Sequence, residues 1–200
     1  MADAMKQAVE QQMEGRLSRM TASLHLTPEQ VQAVRDILIR QAQAMSAGMQ
    51  QAFSGKFDKE ELMRLAKGAG NPDEQIKALL TPDQQAAFPT CQQEEAAHNA
   101  SLAANFELLQ MQSTLGLTAE QLDRVYAALY EVTFNQLTGS AKPNLASQAD
   151  AMQWALDQKT KALEHLLTES QLDNYRQQQA RQAKLTKDIL NKLESSGDTK

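Results

Sequence analysis

The 200-residue chain sets 20 Lys and Arg against 25 Asp and Glu, a formal net charge of −5, with 42% hydrophobic and only 4% aromatic content. That balance disfavours a nucleic-acid partner, and no basic stripe interleaved with aromatics offers one a footing. No apolar run approaches the roughly 18 residues that a bilayer span requires, and the single cysteine, Cys91, excludes an internal disulfide.

Gln, Ala, Leu and Met are abundant, while Gly and β-branched residues are sparse. That is a helical composition, and it predicts an all-α fold. The first helix is expected from about Ala4 to Ala22, with Met5, Val9, Met13, Leu17 and Met20 on one stripe. A second helix starts at Leu26-Thr27-Pro28-Glu29-Gln30 and turns Val31, Val34, Leu38, Met45, Met49 and Phe53 inward. Ser54-Gly55 ends it. Phe57 and Asp58 open a short helix to Lys67, and Gly68-Ala69-Gly70 breaks it. Asn71 then serves as N-cap with Pro72 at the first helical position.

The next helix starts at Leu80-Thr81-Pro82-Asp83-Gln84, and Pro89 is expected to kink or stop it. A long helix follows to about Thr114, with Leu102, Phe106, Leu109 and Met111 directed inward. Leu117-Thr118-Ala119-Glu120-Gln121 starts another, with Leu122, Val125, Leu129, Val132 and Leu137 inward. The clearest loop covers Thr138 to Asn144. A helix carrying Leu145, Met152, Leu156, Leu163 and Leu166 leads to Leu167-Thr168-Glu169-Ser170-Gln171. The final helix runs through Leu172 and Tyr175 to Ile189 and Leu193, with Ser195 to Lys200 as a frayed tail. No strand is predicted. The opening Met1-Ala2-Asp3-Ala4 shows no signal-peptide pattern and reads as a trimmed start.

One phrase, L-T-x-x-Q, is therefore written four times. Its Thr can accept from the backbone N–H three residues on, and its Gln can return the bond to the N–H of the Thr, which makes a capping box. The carboxylates of Glu29, Asp83, Glu120 and Glu169 sit in first turns, where the helix dipole favours them. The Leu before each Thr can staple onto Val31, Leu122 or Leu172 in three copies, whereas the second copy has Gln85 there. Leu26 and Leu117 stand 91 residues apart, and Leu80 and Leu167 stand 87 apart. Flanking residues repeat at the same intervals. The chain is thus expected to be a tandem duplication, residues 1–98 forming the first unit and 99–200 the second.

Two such phrases about 50 residues apart, in an all-helical chain rich in Gln and Met, resemble the Spy/CpxP family of small periplasmic proteins. The resemblance rests on Leu26, Thr27 and Gln30 with Leu80, Thr81 and Gln84, and equally on Leu117, Thr118 and Gln121 with Leu167, Thr168 and Gln171. It covers nearly the whole chain as two family units, where the family carries one. It implies an elongated, curved helical cradle, a periplasmic location and a role in the stress response. Family members act as ATP-independent chaperones or as envelope-stress adaptors, and some relatives sense metals. The partners so implied are unfolded protein clients or a membrane protein. Two fused units are expected to build within one monomer, as an internal pseudo-dimer, the cradle that single-unit relatives build by dimerising.

Two apolar groups are candidates for client contact. Met45, Met49, Phe53, Phe57 and Met63 form one, and Phe134, Met152 and Trp154 the other. Methionine is flexible and polarizable, which suits adaptable binding. The plainer reading of each is core packing at helical spacing. His25, His98 and His165 are unpaired in sequence, so no metal site is expected. No cofactor loop and no nucleophile–base pair stands out, Cys91 included, and no enzymatic activity is expected.

Overall fold

The computed structural model describes the backbone of residues 2–54, 64, 68, 70–139 and 148–195. Seven helices fill those residues, and no strand occurs among them. They are α1 (Ala2–Leu24), α2 (Pro28–Ser54), α3 (Pro72–Leu79), α4 (Pro82–Leu115), α5 (Ala119–Leu137), α6 (Gln148–Leu163) and α7 (Glu169–Ser195). The protein is all-α. Its contacts divide it into two units, residues 1–95 with 191–200 and residues 96–190, so that α4 and α7 are each shared between them.

In the first unit α1 lies on α2, and α2 on α3. Leu17, Met20, Leu24, Leu26, Val34, Ile37, Leu38, Ile76, Leu80, Phe88 and Cys91 form its core. In the second unit α5 lies on α6. Its core is Ala104, Met111, Leu115, Leu117, Val125, Leu129, Leu163, Leu167, Leu172 and Tyr175. Every phrase leucine is therefore a core residue. Each fully buried side chain of this size stabilises its unit by roughly 1.5–3 kcal/mol relative to exposure. Core positions Met20, Leu24, Leu26, Val34 and Leu38 have core partners 91 residues on, and Ile76, Leu80 and Phe88 have theirs 87 residues on.

Pro89 neither stops α4 nor divides it: one helix runs from Pro82 to Leu115. The ring removes one ladder hydrogen bond. Its neighbours Phe88 and Cys91 are buried in the first core, and this packing holds the helix together across the proline. Asn71 caps α3 as expected, its side chain accepting from the Asp73 N–H at 3.0 Å.

Several side chains expected inside lie outside. Val9 and Leu137 are exposed. So are Leu102 at 55%, Phe106 at 65% and Leu109 at 64%. α4 carries two apolar stripes, and alanines line the inner one. Ala100, Ala104, Met111 and Leu115 face the interior. At about 100° per residue, Leu102, Phe106 and Leu109 point about 140–160° away from Ala104. A straight helix can turn only one face inward, and the face carrying Ala100, Ala104, Met111 and Leu115 is the buried one.

Candidate functional site

All four phrases form capping boxes. The Thr27 N–H donates to Gln30 Oε1 at 3.0 Å, while the Gln30 N–H donates to Thr27 Oγ1 at 3.3 Å. Thr81 with Gln84, Thr118 with Gln121, and Thr168 with Gln171 repeat the exchange. Where the staple is missing, Gln85 donates instead to the carbonyls of Lys77 and Leu80, at the end of α3.

The glutamines then do something their local sequence does not announce. Gln30 Nε2 donates to Gln84 Oε1 at 2.8 Å, and Gln84 Nε2 donates back to Gln30 Oε1 at 3.0 Å. Gln30 also donates to the Leu79 carbonyl, and Gln84 to that of Leu24. Each amide thus closes the C-terminal end of the helix before the other's phrase. Gln121 and Gln171 make the same reciprocal pair and reach the Leu166 and Leu115 carbonyls. In each pair every amide donor and acceptor has a partner, so the half-buried network carries no unpaired polar atom. A glutamate would supply no donor and would set a carboxylate against carbonyl oxygens.

Each unit also holds a charged node. In the first, Arg16 bonds Asp73 at 3.0 Å, and Arg19 bonds Glu95, tying α1 to α3 and α4. A shallow cleft of about 320 Å³ beside it is lined by Arg19, Ala22, Ser23, Cys91, Glu94 and Glu95. Burial pushes the Cys91 thiol above its usual pKa, with a smaller opposing effect from Ser23. In the second, Glu107 accepts from Lys159, from the Tyr175 hydroxyl at 2.7 Å and from Gln179. Burial, then the Glu107 carboxylate, raises the Tyr175 pKa strongly.

Of the residues singled out for client contact, Phe134 and Trp154 are half-buried. Phe134 stacks on Tyr130, and Tyr130 on Tyr126, with ring centroids 5.9 and 6.2 Å apart. Met45, Met49 and Phe53 fall on α2 and Met152 on α6, and their side chains lie outside the described ones. Phe57 and Met63 lie outside the described residues altogether. His25 and His165 are exposed, His98 is half-buried, and no group of three potential metal ligands gathers among the described residues.

The surface the sequence reading missed is the outer stripe of α4. Leu102, Phe106 and Leu109 recur at i, i+4 and i+7, the spacing of one helix face. The signal was legible: the inner stripe already had Met111 and Leu115, which lie on the opposite side of a 3.6-residue helix. Between residues 96 and 115 the only Asp, Glu, Lys or Arg is Glu107, already held by Lys159. Isolated exposed leucines are ordinary, but contiguous apolar patches of a few hundred square ångströms are often functional.

Compared with known family models, curated proteins and solved structures, the chain matches none. Among the described residues no helix is long and apolar enough to cross a membrane.

Proposed function

We propose that this protein is a periplasmic, ATP-independent chaperone-like protein that holds partly folded clients on exposed apolar helix surface. We propose also that it is two copies of one L-T-x-x-Q unit. The resemblance of its four phrases to the Spy/CpxP family motivates the reading. The observation that carries it is the outer stripe of α4, where Leu102, Phe106 and Leu109 are each more than half exposed. A partly folded chain exposes apolar segments, and burying them against such a stripe is favourable at roughly 25 cal/mol per Å². The patch is small, so each contact is weak and exchanges readily, as a holding function without ATP requires. Polar Asn105 and Gln110 border it and tolerate varied neighbours.

The test is aggregation of an unfolding client followed by light scattering, without nucleotide, at equimolar protein. Wild type should slow aggregation of several unrelated clients, and Phe106→Asp should lose most of that effect while keeping its helical circular dichroism. No slowing by wild type for any client would overturn the reading and leave an adaptor role in front.

A further inference from the structure

We infer that the Leu102–Phe106–Leu109 face of α4 seats a second copy of this chain, antiparallel and across a two-fold axis close to Asn105 and Phe106. The inference rests on the proposed client site, and it makes a second copy a weak competitor for that site, which a client displaces.

Four observations carry it. First, the stripe is nearly palindromic. Reversing a helix about a point between residues 105 and 106 brings Leu102 opposite Leu109 of the second copy and leaves both Phe106 rings beside the axis. An isologous contact requires a patch that matches itself in this way. Second, the face is uncharged. In a two-fold pair a charge close to the axis would lie near its own copy, and here the segment's one Asp, Glu, Lys or Arg, Glu107, is turned to Lys159. A neutral face keeps like charges of two chains, each with a net charge of −5, out of the contact. Third, the arrangement is that of an interface core: one aromatic flanked by aliphatics, depleted of charge, with a polar rim. The rim here is Asn99, Asn105, Gln110 and Ser113, all exposed. Fourth, the stripe is not repeated at the corresponding place in the first unit. The positions 91 residues earlier are Gln11, Gly15 and Ser18, which offer no second apolar face. An isologous contact through this patch closes at two copies.

Magnitude decides between a permanent and an exchanging dimer. A standard stable interface covers about 800 Å² on each partner. Three side chains exposed at 55 to 65% supply only part of that, so the pair is weak and its seam is available to a client.

Sedimentation equilibrium of the full chain over a loading series from micromolar to near millimolar tests this. Wild type should move from monomer toward dimer as loading rises. Phe106→Asp should stay monomeric throughout, whereas Leu137→Asp, at an exposed leucine outside the stripe, should behave as wild type. Register is read by oxidative cross-linking. A mixture of Leu102→Cys and Leu109→Cys chains should give several-fold more disulfide-linked dimer than either alone. Wild type serves as the blank, because its only thiol, Cys91, is buried. A monomer at every loading overturns the inference. So does a dimer that survives Phe106→Asp, or cross-linking no better in the mixture than in the single variants. The client reading fails separately: a dimer that forms as described in a protein that slows no client's aggregation would keep the seam and discard the chaperone role.

Discussion

Gln30 and Gln84, 54 residues apart, exchange two amide–amide hydrogen bonds of 2.8 and 3.0 Å while each also completes the capping box of its own helix. One residue type thereby performs a local and a long-range task with the same four hydrogen-bonding positions. The L-T-x-x-Q phrase is a helix start and, through its last residue, a clasp between two helix starts.

The clasp predicts a measurable coupling. Gln30→Ala and Gln84→Ala should each destabilise by about 1–3 kcal/mol, because each leaves partner groups unpaired. The double variant should cost less than the sum by about 1 kcal/mol. Urea denaturation of the four proteins measures this, and strict additivity would show that the amides act only as caps.

Replacing the clasp amide by an acid should make stability depend on pH. In Gln84→Glu the oxygen that replaces Nε2 would face the Leu24 carbonyl and Gln30 Oε1, a repulsion that outweighs the donations from the Thr81 N–H and Gln30 Nε2 to the other oxygen and raises the folded pKa above the unfolded value of about 4.3. A raised carboxyl pKa means that the variant is relatively most stable in acid, below about pH 4, and loses stability as pH rises through the folded pKa. Thermal melts at pH 4 and pH 7, each referred to wild type at the same pH, should show the larger deficit at pH 7.

His25 occupies a left-handed conformation, φ 51°, at the end of α1, and the Leu26 N–H closes that turn on the Thr21 carbonyl at 3.3 Å. Gly116, with φ 61°, stands at the same place after α4. Non-glycine residues pay about 1 kcal/mol there. His25→Gly should therefore stabilise by up to about 1 kcal/mol, and Gly116→Ala should destabilise by about 1 kcal/mol. An added Cβ at Gly116 meets nothing within 4 Å, so that second cost is purely conformational. Melting temperatures moving the other way would contradict the assignment.

Tyr175 gives the second unit an alkaline limit. Its phenol is buried, and its hydroxyl donates to Glu107, so ionisation is disfavoured in the folded state. A folded pKa above the unfolded value of about 10 means that the stability is fully present below pH 10 and is lost as pH rises beyond it. Wild type should therefore destabilise between about pH 9.5 and 11.5 more steeply than Tyr175→Phe. An equal loss of stability in wild type and Tyr175→Phe over that range would refute the burial.

Cys91 should be a slow thiol. It is 2% exposed, and burial raises its pKa. The thiolate is the reactive form, so labelling by a disulfide reagent at pH 8 should be at least tenfold slower in the folded protein than in denaturant. Equal rates would place the thiol at the surface.

Local chemistry was written plainly in the sequence. The four capping boxes join residues three apart, the staple leucines enter the cores, and Asn71 caps α3, because each depends on neighbours along the chain. The helical class followed for the same reason, from composition and period. What the phrase glutamines bond to besides their own caps was decided only in three dimensions, since partners 50 or more residues away are chosen by packing. Packing also carried α4 through Pro89, where burial of Phe88 and Cys91 outweighs one missing hydrogen bond. It likewise chose between the two apolar stripes of α4. Hydrophobicity ranks Leu102, Phe106 and Leu109 above Ala100 and Ala104, but a helix turns only one face to a core, and the second core takes the face that holds Ala104, Met111 and Leu115, which leaves the opposite stripe facing water.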